Sequence, residues 1–155
     1  MMITESMLKK LLPRAVKWIA DQEKYILQHG AKLSEDQQID AFLIGIAEPN
    51  AIRILETNEV PIPQDLELSA AANEIGLISK NTVGMSFRQG IWMKPSTNNK
   101  RKLLAHELTH TVQYRRLGGI QNFLTQYLKE CIEIGYPFGS LEREARAMEE
   151  KISAS

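Results

Sequence analysis

Two of the chain's three histidines stand four residues apart, at His106 and His110, with Glu107 directly after the first. Four residues are about one helical turn, so both imidazoles share a side only if this segment is a helix. The flanks agree: Leu103, Leu104 and Ala105 before the pattern and Val112 after it give such a helix an apolar back to bury. On that helix each ring can offer one nitrogen to a single tetrahedral Zn2+ at about 2.0–2.1 Å. Glu107 cannot reach the same point. It lies beside the open fourth position, where a carboxylate can hold a water and accept its proton. The chemistry this suits is attack of water on a carbonyl. The plain alternative is a surface helix whose His106, Glu107 and His110 bind nothing.

Two histidines leave a ligand to find. No histidine follows His110, which excludes a third imidazole from later in the chain. His29 precedes Gly30 at an expected helix end, where the helix dipole favours a surface histidine. A carboxylate on a following helix is therefore expected, and Glu130, Glu133, Glu142, Glu144, Glu149 and Glu150 lie downstream. Glu142 and Glu144 open a fresh helix that can fold back on the histidine helix. Acids in a first turn also complement the helix dipole without any metal. Leu141, Ala145, Met148 and Ile152 make that helix's apolar stripe, with Glu142 and Glu144 flanking it at similar angles, so periodicity leaves both open. A donor for a developing oxyanion is expected too. Tyr136, in the loop before that helix, and Tyr114, one turn beyond His110, are the candidates.

The rest of the chain changes period twice. Leu12, Val16, Ile19 and Ile26 predict a helix from Pro13 to about His29, with whatever precedes Pro13 a separate short helix or a kinked extension. Ser34 to Gln37 form a capping-box pattern, and Ile39, Phe42, Leu43 and Ile46 predict one apolar face for the helix it opens. Residues 51–56 read as a strand. Asp65 caps a helix through Leu68, Ala71, Ala72 and Ile75. Met85 and Phe87, then Ile91 and Met93, alternate with polar residues around a hairpin turn or a bulge at Gln89-Gly90. Helices follow from about Arg101 to Leu117, Ile120 to Ile134, and from near Ser140. Helices, a small antiparallel sheet, then helices predict an α+β class in one domain, 1–155, with a helical part to residue 80 and the metal-site part from 81.

The run from Ala105 to Tyr114, followed by Gly135-Tyr136 and by Leu141-Glu142-Arg143-Glu144-Ala145, resembles the gluzincin branch of the zincin metallopeptidases. It is most similar to small bacterial metallopeptidase-like proteins such as the domain associated with extracellular contractile injection systems. The resemblance covers roughly residues 84–150, and residues 1–80 match no zincin pattern. It implies a zincin-like fold, one Zn2+ per chain, and peptide hydrolysis with Glu107 as general base. In that branch a glutamate followed three residues later by a small residue is the third ligand, so it implies Glu142 with Ala145, and Glu144 as runner-up. The family frequently has Asp or Asn at the next position, where this sequence has Arg146. The strand before the motif helix commonly pairs with extended substrate in zincins, which implies substrate contacts at Ile91, Trp92 and Met93. The same features would also serve a catalytically inactive zincin-like module, in which zinc ties two helices together. A helical interaction protein without metal is the third reading.

Composition narrows the partners. Nineteen basic residues balance nineteen acidic ones, which gives no long-range field for nucleic acid or an anionic membrane; the peptidase reading implies a protein or peptide substrate. The sequence says nothing of oligomeric state. The most apolar stretch, residues 41–47, is too short to cross a bilayer. Cys131 is the single cysteine, so no internal disulfide forms, and a buried inert thiol is expected. With no secretory signal pattern at the start, the expected location is the cytoplasm, export by a signal-independent route aside.

Overall fold

A computed structural model describes residues 3–155. Six helices surround a four-stranded sheet, an α+β arrangement. α1 (Glu5–His29) is capped by Thr4, whose hydroxyl accepts from the Met7 N–H, and runs unbroken past Pro13. Proline removes one backbone donor there, and an exposed position lets water satisfy the freed carbonyl. β1 (Ala31–Lys32) leads into α2 (Glu35–Ile44), where both reciprocal bonds of the capping box form between Ser34 and Gln37. β2 (Arg53–Glu56) precedes α3 (Leu66–Glu74), capped by Asp65 as its side chain predicts. The hairpin β3 (Gly84–Phe87) and β4 (Gly90–Met93) turns at Arg88-Gln89. Three helices then complete the chain: α4 (Lys100–Leu117), α5 (Ile120–Glu133) and α6 (Ser140–Ser153).

The sheet order is β1-β2-β4-β3. β1 and β2 are antiparallel, as are β3 and β4, but β2 and β4 run parallel, so the sheet is mixed and not purely antiparallel. After β2 the chain crosses over through α3, and the returning hairpin lays its second strand, not its first, beside β2. That register sets Ile54 beside Ile91 and Leu55 beside Trp92. Side chains at alternate positions point to opposite faces. Ile54, Ile91 and Met93 thus meet Leu104, Ala105 and Leu108 of α4, while Trp92 and Phe87 meet Ile19 and Ile26 of α1. α4 is held between this sheet and α6.

The predicted apolar face of α2 is corrected. Ala41 and Ile44 are buried, and Ile46 after the helix joins them, but Ile39, Phe42 and Leu43 are 58%, 69% and 56% exposed. The helix rests on α4 through fully covered Ala41, whose small side chain permits close approach, and this turns the bulkier residues outward. Among the described residues no helix is long and apolar enough to cross a membrane.

Candidate metal centre

The back of α4 is anchored by Leu104, Ala105 and Leu108 in the core, which leaves His106, Glu107 and His110 to face a cleft. α6 supplies the opposing carboxylate. Its first turn is held by Glu130 of α5, which accepts from the Leu141 N–H at 2.9 Å, the Ser140 hydroxyl at 2.6 Å and the Gln126 amide at 2.7 Å. Gly139 is obligatory beside it, because a Cβ there would stand 2.5 Å from Glu130 Oε1. So anchored, α6 brings Glu142 Oε2 to 3.0 Å from His106 Nε2 and Glu142 Oε1 to 2.9 Å from His110 Nε2. The two Nε2 atoms are 3.3 Å apart. Ligands about 2.0–2.1 Å from a tetrahedral ion stand about 3.3–3.4 Å from one another, so the nitrogen pair has that spacing and the carboxylate sits slightly closer. His106, His110 and Glu142 are the His/Cys/Asp/Glu group among the described residues that could hold a metal ion.

Each of the three is steered from behind by a different residue. His106 Nδ1 lies 3.1 Å from Glu149 Oε1, and His110 Nδ1 lies 2.8 Å from Gln113 Oε1. Gln113 donates through its amide nitrogen to the Leu141 carbonyl at 2.9 Å and to Glu144 at 2.6 Å. Both partners are acceptors only, which turns the Gln113 oxygen toward the ring. Each Nδ1 therefore keeps its proton, and each Nε2 is the atom aimed at the common point. The Tyr127 hydroxyl of α5 donates to Glu142 Oε1. Sequence reasoning missed Gln113, Tyr127 and the steering role of Glu149. Glu149 lies seven residues after Glu142, two helical turns along the same face, and that periodicity is the signal that could have found it. Arg146, at the position where the resembling family carries Asp or Asn, donates instead to the Pro137 carbonyl at 2.6 Å.

The electrostatics of this spot favour positive charge. Burial works against a charged His106, yet the Glu142 hydrogen bond and the Glu107, Glu142 and Glu149 carboxylates raise its pKa to about 9. His110 is raised too, burial again opposing and Glu142 prevailing. Burial alone would raise Glu142, but the two rings hold its carboxyl well below the usual carboxylate range. Glu107 is raised, chiefly by burial. Two imidazoles among three carboxylates are a donor set that fits a divalent cation.

Glu107 differs from its neighbours. It is 5% exposed and lines the cleft, yet no described residue donates a hydrogen bond to its carboxylate. Gly84 of β3 makes room for it, since a Cβ there would lie 3.0 Å from Glu107 Oε2.

The other sequence candidates are placed as follows. Glu144 accepts from Arg116 at 2.8 and 3.0 Å and from Gln113, and does not reach the histidines. Glu150 pairs with Lys102, Glu133 is exposed, and Glu130 caps α6. His29 ends α1 with its Nδ1 2.9 Å from the Tyr25 carbonyl. Tyr136 lines the cleft mouth and is 38% exposed. Tyr114 is buried, donates to the Ser86 carbonyl at 3.1 Å and stacks on Phe123, so it is a structural residue. Cys131 is half-buried, its thiol pushed up to about 12 by burial and then by Glu142 and Glu130. The expectation of substrate contacts at Ile91, Trp92 and Met93 is corrected. β4 is paired on both sides, and the three are at most 2% exposed, so they are core. The sheet-edge strand beside the cleft is β3, whose Ser86 carbonyl is taken by Tyr114.

Residues 63–118 match the eCIS core domain. The eCIS core match spans α3, the β3–β4 hairpin and α4 with its two histidines and Glu107, about a third of the chain. It stops short of α5 and α6, and so of Tyr127, Glu142 and Glu149. Neither the curated proteins nor the solved structures contain a match to this chain.

Proposed function

We propose that this protein is a zinc-dependent metallopeptidase, with His106, His110 and Glu142 as ligands and Glu107 as general base. The observation that carries the proposal is the free Glu107 carboxylate beside the three convergent donor atoms. A site that only ties helices together has no use for a carboxylate that opens onto the cleft beside the donor atoms and is engaged by no donor of the protein. Zinc, when bound, supplies Lewis acidity and makes water at its open position acidic near neutral pH. The protein's own residues do the rest. An extended peptide pairs with the outer edge of β3 beside Glu107. As water oxygen bonds to the peptide carbonyl carbon, Glu107 accepts the water proton. It returns that proton to the amide nitrogen as the C–N bond breaks, leaving a carboxylic acid and an amine. The Tyr136 hydroxyl, at the cleft mouth, donates to the oxygen on which charge develops.

One observation favours a second reading, a zinc-stapled interaction module: α4 and α6 form the most extensive helix contact of the molecule, and the ligands are divided between them. Glu107→Gln separates the two. It keeps the shape and the ligands but cannot accept a proton, a loss of about 10²–10⁴ in rate. The expected result is near-stoichiometric zinc in both proteins by elemental analysis, cleavage of some members of a broad peptide library by wild type, and cleavage slowed by that factor in the variant. Equal cleavage by both removes Glu107 from the mechanism. Zinc in both with no cleavage by either favours the module.

A further inference from the structure

The cleft that begins at Glu107 continues far beyond the reach of the metal ligands. It holds about 480 Å³ and passes between α1, α3, β3 and α5. Its far walls are apolar: Leu11 and Trp18 from α1, Leu68 and Ala71 from α3, Met85 from β3 and Leu128 from α5. Two of these walls, α1 and α5, lie outside the eCIS core match. A volume of this order is that of a ligand site and exceeds what one side chain fills. The charges in the cleft are as telling as the apolar walls. Among the described residues no lysine or arginine lines it, and its only acids are Glu107, Glu142 and Glu149. Glu142 is engaged by both histidines and Tyr127, Glu149 by His106, and Glu107 is the proposed base.

A peptide end cannot be accommodated in such surroundings. A terminal carboxylate taken from water needs a cationic partner, and a terminal ammonium needs an uncommitted carboxylate. Away from the metal-binding residues, neither is present among the described residues that line the cleft. From this and from the reading of the centre as a peptidase, on which it rests, we infer that the cleft binds the interior of an uncharged, apolar stretch of polypeptide several residues long. The activity is that of an endopeptidase selective for Leu, Phe or Met next to the cleaved bond. It is not an exopeptidase trimming either end.

Trp18 in the wall reports occupancy, since the second tryptophan, Trp92, is buried in the sheet with its Nε1 donating to Thr57. The test uses the zinc-loaded Glu107→Gln protein for binding and the wild type for cleavage. The probes are acetylated, amidated octapeptides with a Leu-Phe-Met centre, the same peptides with Asp or Lys at the centre, and the apolar peptides with free ends. The blocked apolar peptide should change Trp18 emission, a change absent in Trp18→Phe, and bind at least 10-fold more tightly than the Asp or Lys versions. Free ends should give no gain. Ile132→Glu, at an exposed rim position that tolerates charge without unfolding, should weaken apolar binding several-fold with zinc content unchanged. Binding with this preference but no cleavage upholds the cleft and overturns the peptidase. Cleavage that requires a free end, or that ignores charge at the centre, overturns the cleft inference and leaves the peptidase standing. Absence of any Trp18 response to the apolar peptide also overturns it.

Discussion

Tyr127 shows how much of the centre rests on single contacts from outside the histidine helix. Its hydroxyl donates to Glu142 Oε1 while its ring packs edge-on against His110, 5.7 Å between centroids. It therefore steers one ligand by a hydrogen bond and another by contact. Residues that orient ligands from behind typically govern about 10–100-fold in metal affinity. Tyr127→Phe keeps the ring and removes the hydroxyl, so zinc Kd from a competitive chelator titration should rise about 10-fold with the fold intact. In the same titration Glu142→Ala should lose most of its affinity, having lost a ligand. Glu144→Ala, whose native carboxylate sits on Arg116 and Gln113, should stay within a few-fold of wild type. If Glu144→Ala proves the weaker binder, the ligand assignment passes to it.

Among the elements, α6 matters most, because it carries both Glu142 and Glu149, and its start depends on Glu130. No side chain caps this helix from within, since Gly139 occupies the capping position. A carboxylate from α5 takes over that task. Burial would raise Glu130, but the Leu141 N–H, Ser140 and Gln126 prevail and hold its pKa below the usual value. A depressed folded-state pKa means stability that is present above the unfolded value, near 4.3, and lost as pH falls through the folded one. Glu130→Gln removes that titration. On chelator-treated protein the variant should melt lower than wild type at pH 7, and the gap should narrow as pH is lowered from about 4.5 toward 3. A gap that is constant with pH would mean that Glu130 acts by packing alone.

For the whole molecule, the metal would join α4 to α6 and so couple binding to folding. A ligand held only by the folded state stabilises it by about 2.7 kcal/mol at a hundred times Kd. For a domain of this size 1 kcal/mol corresponds to about 2–4 °C. Chelation should thus lower Tm by about 5–10 °C in wild type, and much less in His110→Ala, which lacks a ligand; scanning calorimetry reads both. Ile39, Phe42 and Leu43 stay exposed on α2.

What the sequence determined by itself is local. The spacing of His106 and His110 demands a helix, and Ser34, Asp65 and the polar run before Lys100 mark helix starts, because caps and i,i+4 pairs involve neighbours along the chain. The α+β class followed from the changes of period. Tertiary structure alone decided the rest. Glu142 and Glu144 flank the same apolar stripe, so periodicity left both open and only the resemblance implied Glu142; in the fold Arg116 and Gln113, on another helix, take Glu144, while Glu142 meets both histidines and Tyr127. Tyr127 reaches the centre through helix packing that no spacing encodes, while Glu149 follows from its two-turn spacing after Glu142 once α6 is docked. The parallel pairing of β2 with β4 likewise depends on which strand of the hairpin buries better beside Ile54. That same pairing put Ile91, Trp92 and Met93 in the core and left the sheet edge to β3. Contacts between residues distant in the chain are selected by the free energy of the assembled core, and the chain read in order does not contain that competition.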